Sequence, residues 1–140
     1  MKKQRPSYQK WFELAEDELN FAKVNLEERP EFPWYICFHA QQAAEKALKA
    51  FLFYKQYPKE LRTHNLIALL SLCEKYDKKF NGVSKNCKIL NGYYTPTRYP
   101  DALPGMTPLG VFKRNEAKET IELSEEIVKF VKGRIKIKLK

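Results

Sequence analysis

The chain has 140 residues, 44% of them hydrophobic and 31% charged, with a formal net charge of +9. That is enough for one domain with a core and too little for two, and it is neither a disordered composition nor one that crosses a bilayer, since no apolar run approaches about eighteen residues. The basic start MKKQRPSYQK has no apolar stretch behind it, which excludes a secretory signal.

The first helix is marked by Tyr8, Trp11, Phe12, Ala15, Leu19, Ala22 and Leu26, which recur at three- and four-residue steps on one face. Ser7 can cap its start, and Pro30 with Pro33 ends it. The second helix is predicted from Trp34 to Tyr57, stopped by Pro58. Its main stripe is Ile36, Ala40, Ala43, Ala47, Ala50 and Tyr54, whose alanines let a neighbouring backbone approach closely. Phe38, Leu52 and Phe53 lie on its opposite side beside Gln42, Glu45 and Lys49, so a second subunit is expected to cover them.

Thr63 or Asn65 can cap a third helix built on Leu66, Leu69, Leu70 and Cys73, and Asn81-Gly82 signals a turn. Ser84 opens a short fourth helix with Cys87, Leu90 and Tyr94 on one face. The fifth carries Ala117, Ile121, Ser124, Val128, Val131 and Ile135, with Leu123, Ile127 and Phe130 widening the stripe. The ending RIKIKLK alternates like a strand but has no second strand to pair with, and reads as a frayed helix end. The expected fold is all-α: one antiparallel up-and-down helical bundle of about five helices over residues 1–140, with a basic tail at 132–140.

Between the fourth and fifth helices runs NGYYTPTRYPDALPGMTPLG, with prolines at 96, 100, 104 and 108. A proline every fourth residue forbids a helix and fixes the backbone around Tyr93, Tyr94, Arg98, Tyr99 and Asp101. Such a rigid display suits binding. The tyrosines can stack on bases of single-stranded RNA with Arg98 at phosphate, or plug a subunit interface with their hydroxyls wet. Asp101 can pair with Arg98 or act as a weak base.

Basic residues cluster. Residues 1–10 carry Lys2, Lys3, Arg5 and Lys10 with no acid; residues 75–98 carry Lys75, Lys78, Lys79, Lys85, Lys88 and Arg98 against Asp77; residues 129–140 add six bases without an acid, so the rest of the chain is net acidic. A polyanion-binding surface needs such clustering, although a solubilising surface accounts for it too. Cys37, Cys73 and Cys87 have no metal-like spacing and read as reduced core thiols in a cytoplasmic protein. There is no Gly-rich phosphate loop, metal cluster or nucleophile motif, and neither a metal nor a cofactor is expected.

Three stretches, HAQQAAEKALKAFL at 39–52, THNLIALL at 63–70 and YYTPTRYPDA at 93–102, come in an order and spacing that resembles the HEPN domain family over nearly the whole chain. The resemblance implies a helical bundle, usually a homodimer, often paired with a minimal nucleotidyltransferase as a two-component or toxin–antitoxin system. Many such proteins are metal-independent endoribonucleases whose motif is an arginine followed four to six residues later by a histidine. Arg98 falls where that arginine does, but positions 103–105 are Leu103, Pro104 and Gly105. An arginine cannot shuttle protons at neutral pH, so ribonuclease activity is expected to be lost.

The chain's two histidines are His39 and His64. His64 matches the histidine at the start of the third helix, where a helix-end or carboxylate-pairing role competes with a ligand role. His39 reads as a partly buried, hydrogen-bonded residue. Glu45, Lys46 and Lys49 form either an i,i+4 ion pair on a solvated face or a polar seam at a dimer groove. The candidate nucleotide- or RNA-binding set is therefore Arg98, Tyr94, Tyr99, His64, Lys46 and Lys49, with Arg98 and Asp101 catalytic only in an active enzyme. The sequence-level reading is a dimeric module that binds a nucleotidyltransferase partner and nucleotide or RNA. Its rivals are a ribonuclease toxin using Arg98 with a non-standard acid–base, and a purely structural interaction module.

Overall fold

The computed structural model describes residues 7–93 and 113–135. Tyr94, Arg98, Tyr99 and Asp101 lie outside them, as do Lys2, Lys3 and Arg5 at one end and Lys136, Lys138 and Lys140 at the other. The described chain is all-α: α1 (Ser7–Glu28), α2 (Pro33–Tyr54), α3 (Leu66–Tyr76), a 3-10 segment (Lys78–Val83), α4 (Ser84–Asn91) and α5 (Arg114–Arg134).

Helix α2 is the centre of the bundle. Fourteen of its 22 residues are buried, against five of 22 in α1. Ala40, Ala43, Ala44, Ala47 and Ala50 are fully buried, and α5 comes close enough for Ser124 Oγ to donate to the Ala40 carbonyl at 2.6 Å. Helices α1 and α2 form an antiparallel pair, with Tyr8 against Tyr54 at one end and Phe21 against His39 towards the other. Helix α5 also runs antiparallel to α1, joined by Lys23–Glu125 and Lys132–Glu16 pairs. The start of α3 meets the end of α4, where Leu66 N–H donates to Asn91 Oδ1 at 2.9 Å.

Local chemistry sets the element ends. Pro33 opens α2, where its missing N–H is harmless. Asn65, not Thr63, caps α3 by accepting from the amides of Ile67 and Ala68. Asn81 and Gly82 sit inside the 3-10 segment, which Asp77 caps through Lys79 N–H. Helix α2 stops at Tyr54, before the expected Tyr57. There Gln56 N–H returns to the Phe53 carbonyl and Tyr57 N–H to the Leu52 carbonyl, while Gln56 takes a φ of 57°. This is a Schellman closure with glutamine where glycine is usual.

The expectation that α2 exposes Phe38, Leu52 and Phe53 until a second subunit arrives is corrected. Leu52 is fully buried, Phe53 stacks on Trp11 with ring centres 5.7 Å apart, and Phe38 is half-buried beside His39. The helix has two apolar sides because it sits in the middle of its own bundle.

Two stability outcomes follow from this packing. Gln56→Gly relieves the left-handed strain and raises unfolding free energy in urea by about 0.5–1 kcal/mol. Phe80→Ala, which removes the ring between Phe51 (4.4 Å) and Phe130 (4.9 Å), lowers it by about 3–5 kcal/mol.

Candidate functional site

Helix α2 carries two carboxylate–histidine–lysine clusters. In the first, Glu18 of α1 accepts from His39 Nδ1 at 2.7 Å through one oxygen and from Lys46 Nζ through the other. Burial opposes charge on Glu18, but the hydrogen bonds from His39 and Lys46 and the positive charge of Lys46 outweigh it and hold the carboxyl below its ordinary 4.5. With Nδ1 committed to Glu18, Nε2 is the imidazole nitrogen left for other work.

The second cluster is deeper. Gln41, Glu45 and Lys49 follow one another at four-residue steps and are 0%, 3% and 4% exposed. Glu45 Oε2 accepts from Lys49 Nζ and from His64 Nδ1, both at 3.0 Å. Glu45 Oε1 has no hydrogen-bond partner among the described residues. The Lys49 ammonium also lies 5.6 Å from the centre of the Trp11 ring. Glu45 and Lys49 therefore form the i,i+4 pair that was one of the two alternatives, but buried rather than on a solvated face. His64, in the loop before α3, has a half-exposed side chain and reaches in to this carboxylate. Lys46 and Lys49 are both engaged by carboxylates.

The tyrosine loop is described only at its entrance. Tyr93 follows α4 and is half-buried; burial, together with the nearby Glu119 and Glu116 carboxylates, pushes its hydroxyl up to about 12. It stays a hydrogen-bond donor at neutral pH. The three thiols are buried, and burial pushes Cys37 and Cys87 up to about 12 and raises Cys73 as well, which leaves none of them a nucleophile. Among the described residues no group of His, Cys, Asp and Glu could hold a metal ion, and no helix is long and apolar enough to cross a membrane.

The charge clusters separated in sequence meet in part. Arg134, at the end of α5, pairs with Asp77 at 2.5 Å, and Asn86 of α4 donates to Glu126 of α5 at 2.7 Å. Lys75, Lys78, Lys79, Lys85 and Lys88 are all exposed around this junction, as is Lys129 of α5. Sequence reasoning missed the Glu18 cluster. Its signal was faint: Glu18 is one acid among six on α1, and only the pairing of α1 with α2 selects it.

The architecture is that of HEPN helical folds. The model of the HEPN domain matches residues 8–134, and the chain belongs to this family. It is similar to TT1696 from Thermus thermophilus, a crystal structure 34% identical that aligns over 93% of this chain and 99% of that one with a TM-score of 0.79. It is also similar to ST0689, described as an archaeal HEPN homologue (29% identity, 97% and 100% coverage, TM-score 0.72). A curated relative, "Putative toxin MJ1304" of Methanocaldococcus jannaschii, is 26% identical over 131 residues, 89% of this chain and 85% of its own.

Removing one member of the buried pair separates its roles. Glu45→Ala strands Lys49 and costs about 3–5 kcal/mol in denaturant unfolding, whereas Glu45→Leu combined with Lys49→Met recovers most of that loss. The Glu18 contribution depends on pH. Because its folded-state value is depressed, the stabilisation is present above about pH 4.5 and is lost as pH falls through the folded value. Glu18→Gln is thus less stable by about 1–2 kcal/mol at pH 7, and the gap closes in acid.

Proposed function

We propose that the protein is a HEPN module of a toxin–antitoxin or related two-component pair. In this reading it acts in the cytoplasm as a homodimer, binds a nucleotidyltransferase-fold partner, and holds nucleotide or RNA without efficient cleavage. The observation that carries the nucleic-acid part is the junction of Asp77 with Arg134, around which exposed lysines from α3, the 3-10 segment, α4 and α5 gather. Phosphate binding needs such a concentration of cations. The similarity to a protein named as a toxin supports the pairing.

The absence of cleavage rests on proton chemistry. Metal-independent scission needs a base for the attacking hydroxyl, an acid for the leaving oxygen, and charge stabilisation between them. Arg98 supplies only the last. No histidine follows Arg98 at the motif spacing, and the chain's two histidines, His39 and His64, stand at carboxylates of α1 and α2. Positioned proton transfer contributes about two to four orders of magnitude, so its loss leaves cleavage near background.

Three measurements test the reading. RNA affinity is measurable at low salt, falls steeply as salt rises, and drops about tenfold in Lys78→Glu/Lys79→Glu/Lys85→Glu; equal negligible binding in all conditions favours a structural module instead. Multiple-turnover RNA cleavage in EDTA that vanishes in Arg98→Ala overturns the non-catalytic assignment. Sedimentation that shows only monomer at micromolar concentration overturns the homodimer.

A further inference from the structure

Where α1 ends and α2 begins lies a recess of about 310 Å³ lined by Phe21, Asn25, Phe32, Tyr35, Ile36 and His39. Phe21, Phe32 and Tyr35 give it aromatic walls, and Phe21 and Tyr35 are 52% and 55% exposed. Large rings left in water beside polar groups mark an interaction site. The recess also offers acceptors. His39 Nδ1 is taken by Glu18, which leaves Nε2; the Asn25 amide donates to the Phe21 carbonyl at 2.8 Å, which leaves its Oδ1.

The turn that carries Phe32 is acidic. Glu27, Glu28 and Glu31 are exposed about the α1–α2 turn, and the base among them, Arg29, is paired with Glu31 at 2.8 Å. Helix α1 carries six acids against two lysines, in a chain whose net charge is +9. An anion is the wrong guest for such a rim, and a flat cation is the right one. The turn already holds an example: the guanidinium carbon of Arg29 lies 5.2 Å from the centre of the Phe32 ring.

We propose that this recess is the docking site for an arginine side chain of a protein partner. Its guanidinium packs on the walls made by Phe21, Phe32 and Tyr35 and donates to His39 Nε2 and the Asn25 side-chain oxygen. Lysine meets the charge requirement but not the planar one. The volume lies at the small end of ligand sites, roughly 300 Å³, and suits one anchoring side chain better than an extended ligand. This deepens the partner reading above and rests on it for the protein nature of the guest.

The test is a nuclear magnetic resonance titration of the intact ¹⁵N-labelled protein with the peptide Ac-Leu-Arg-Leu-NH₂ at low salt. The expected result is shifts concentrated at Phe21, Asn25, Phe32, Tyr35 and His39. Binding falls about tenfold when the peptide arginine is replaced by citrulline, and by a similar factor in Tyr35→Ala at unchanged melting temperature. Glu27→Gln/Glu28→Gln weakens binding and flattens its salt dependence. No shift at these residues, or equal binding of the citrulline peptide, overturns the proposal. So does AMP taking the same residues in place of the peptide, which marks a base-binding site, or concentration-dependent shifts without peptide, which mark a face for a second copy. Co-purification with a nucleotidyltransferase is a separate readout: its failure removes that partner, while the titration alone decides the recess.

Discussion

Every element of this fold answers to the burial of α2. A helix buried along most of its surface cannot hydrate the charged residues on its inner sides, so they are paired inside the protein. Glu45 meets Lys49 and His64, and Lys46 and His39 meet Glu18. These contacts bind α1 and the loop before α3 to the central helix. The alanines do the complementary work, because small side chains let α5 approach until Ser124 reaches a main-chain carbonyl of α2.

The same burial directs where function can lie. The polar residues at the core of α2 hold the fold together, and their charges are compensated locally. What is left for partners sits at the edges: lysines where the 3-10 segment, α4 and the end of α5 converge, and aromatic rings with an acidic rim at the turn between α1 and α2. A basic face and an acidic aromatic recess on one small domain suit two guests of different charge.

Membership of the HEPN family supplies the architecture without deciding the chemistry. The two imidazoles of this chain are each oriented by a carboxylate, an arrangement that serves a proton-transfer residue and a structural hydrogen bond equally well. The difference lies in what stands next to Nε2. For His39 that neighbourhood is a ring-lined recess, which favours recognition over phosphodiester chemistry.

The five helices, their apolar faces and the alanine seam were legible in the sequence because helical periodicity is local and the stripes in α1, α2 and α5 are long. So was the i,i+4 pairing of Glu45 with Lys49. The three motif stretches pointed to the family. Tertiary structure alone decided which side of α2 meets solvent: Leu52 and Phe53 looked uncovered, yet the core buries Leu52 and Trp11 stacks on Phe53. It alone chose Glu18 from six acids on α1, since choosing required the register of one helix against another. It brought Arg134 to Asp77 across 57 positions and set Phe21 and Tyr35 around one recess. A sequence states what each residue prefers to bury or to bind; only packing states what is near enough to satisfy it.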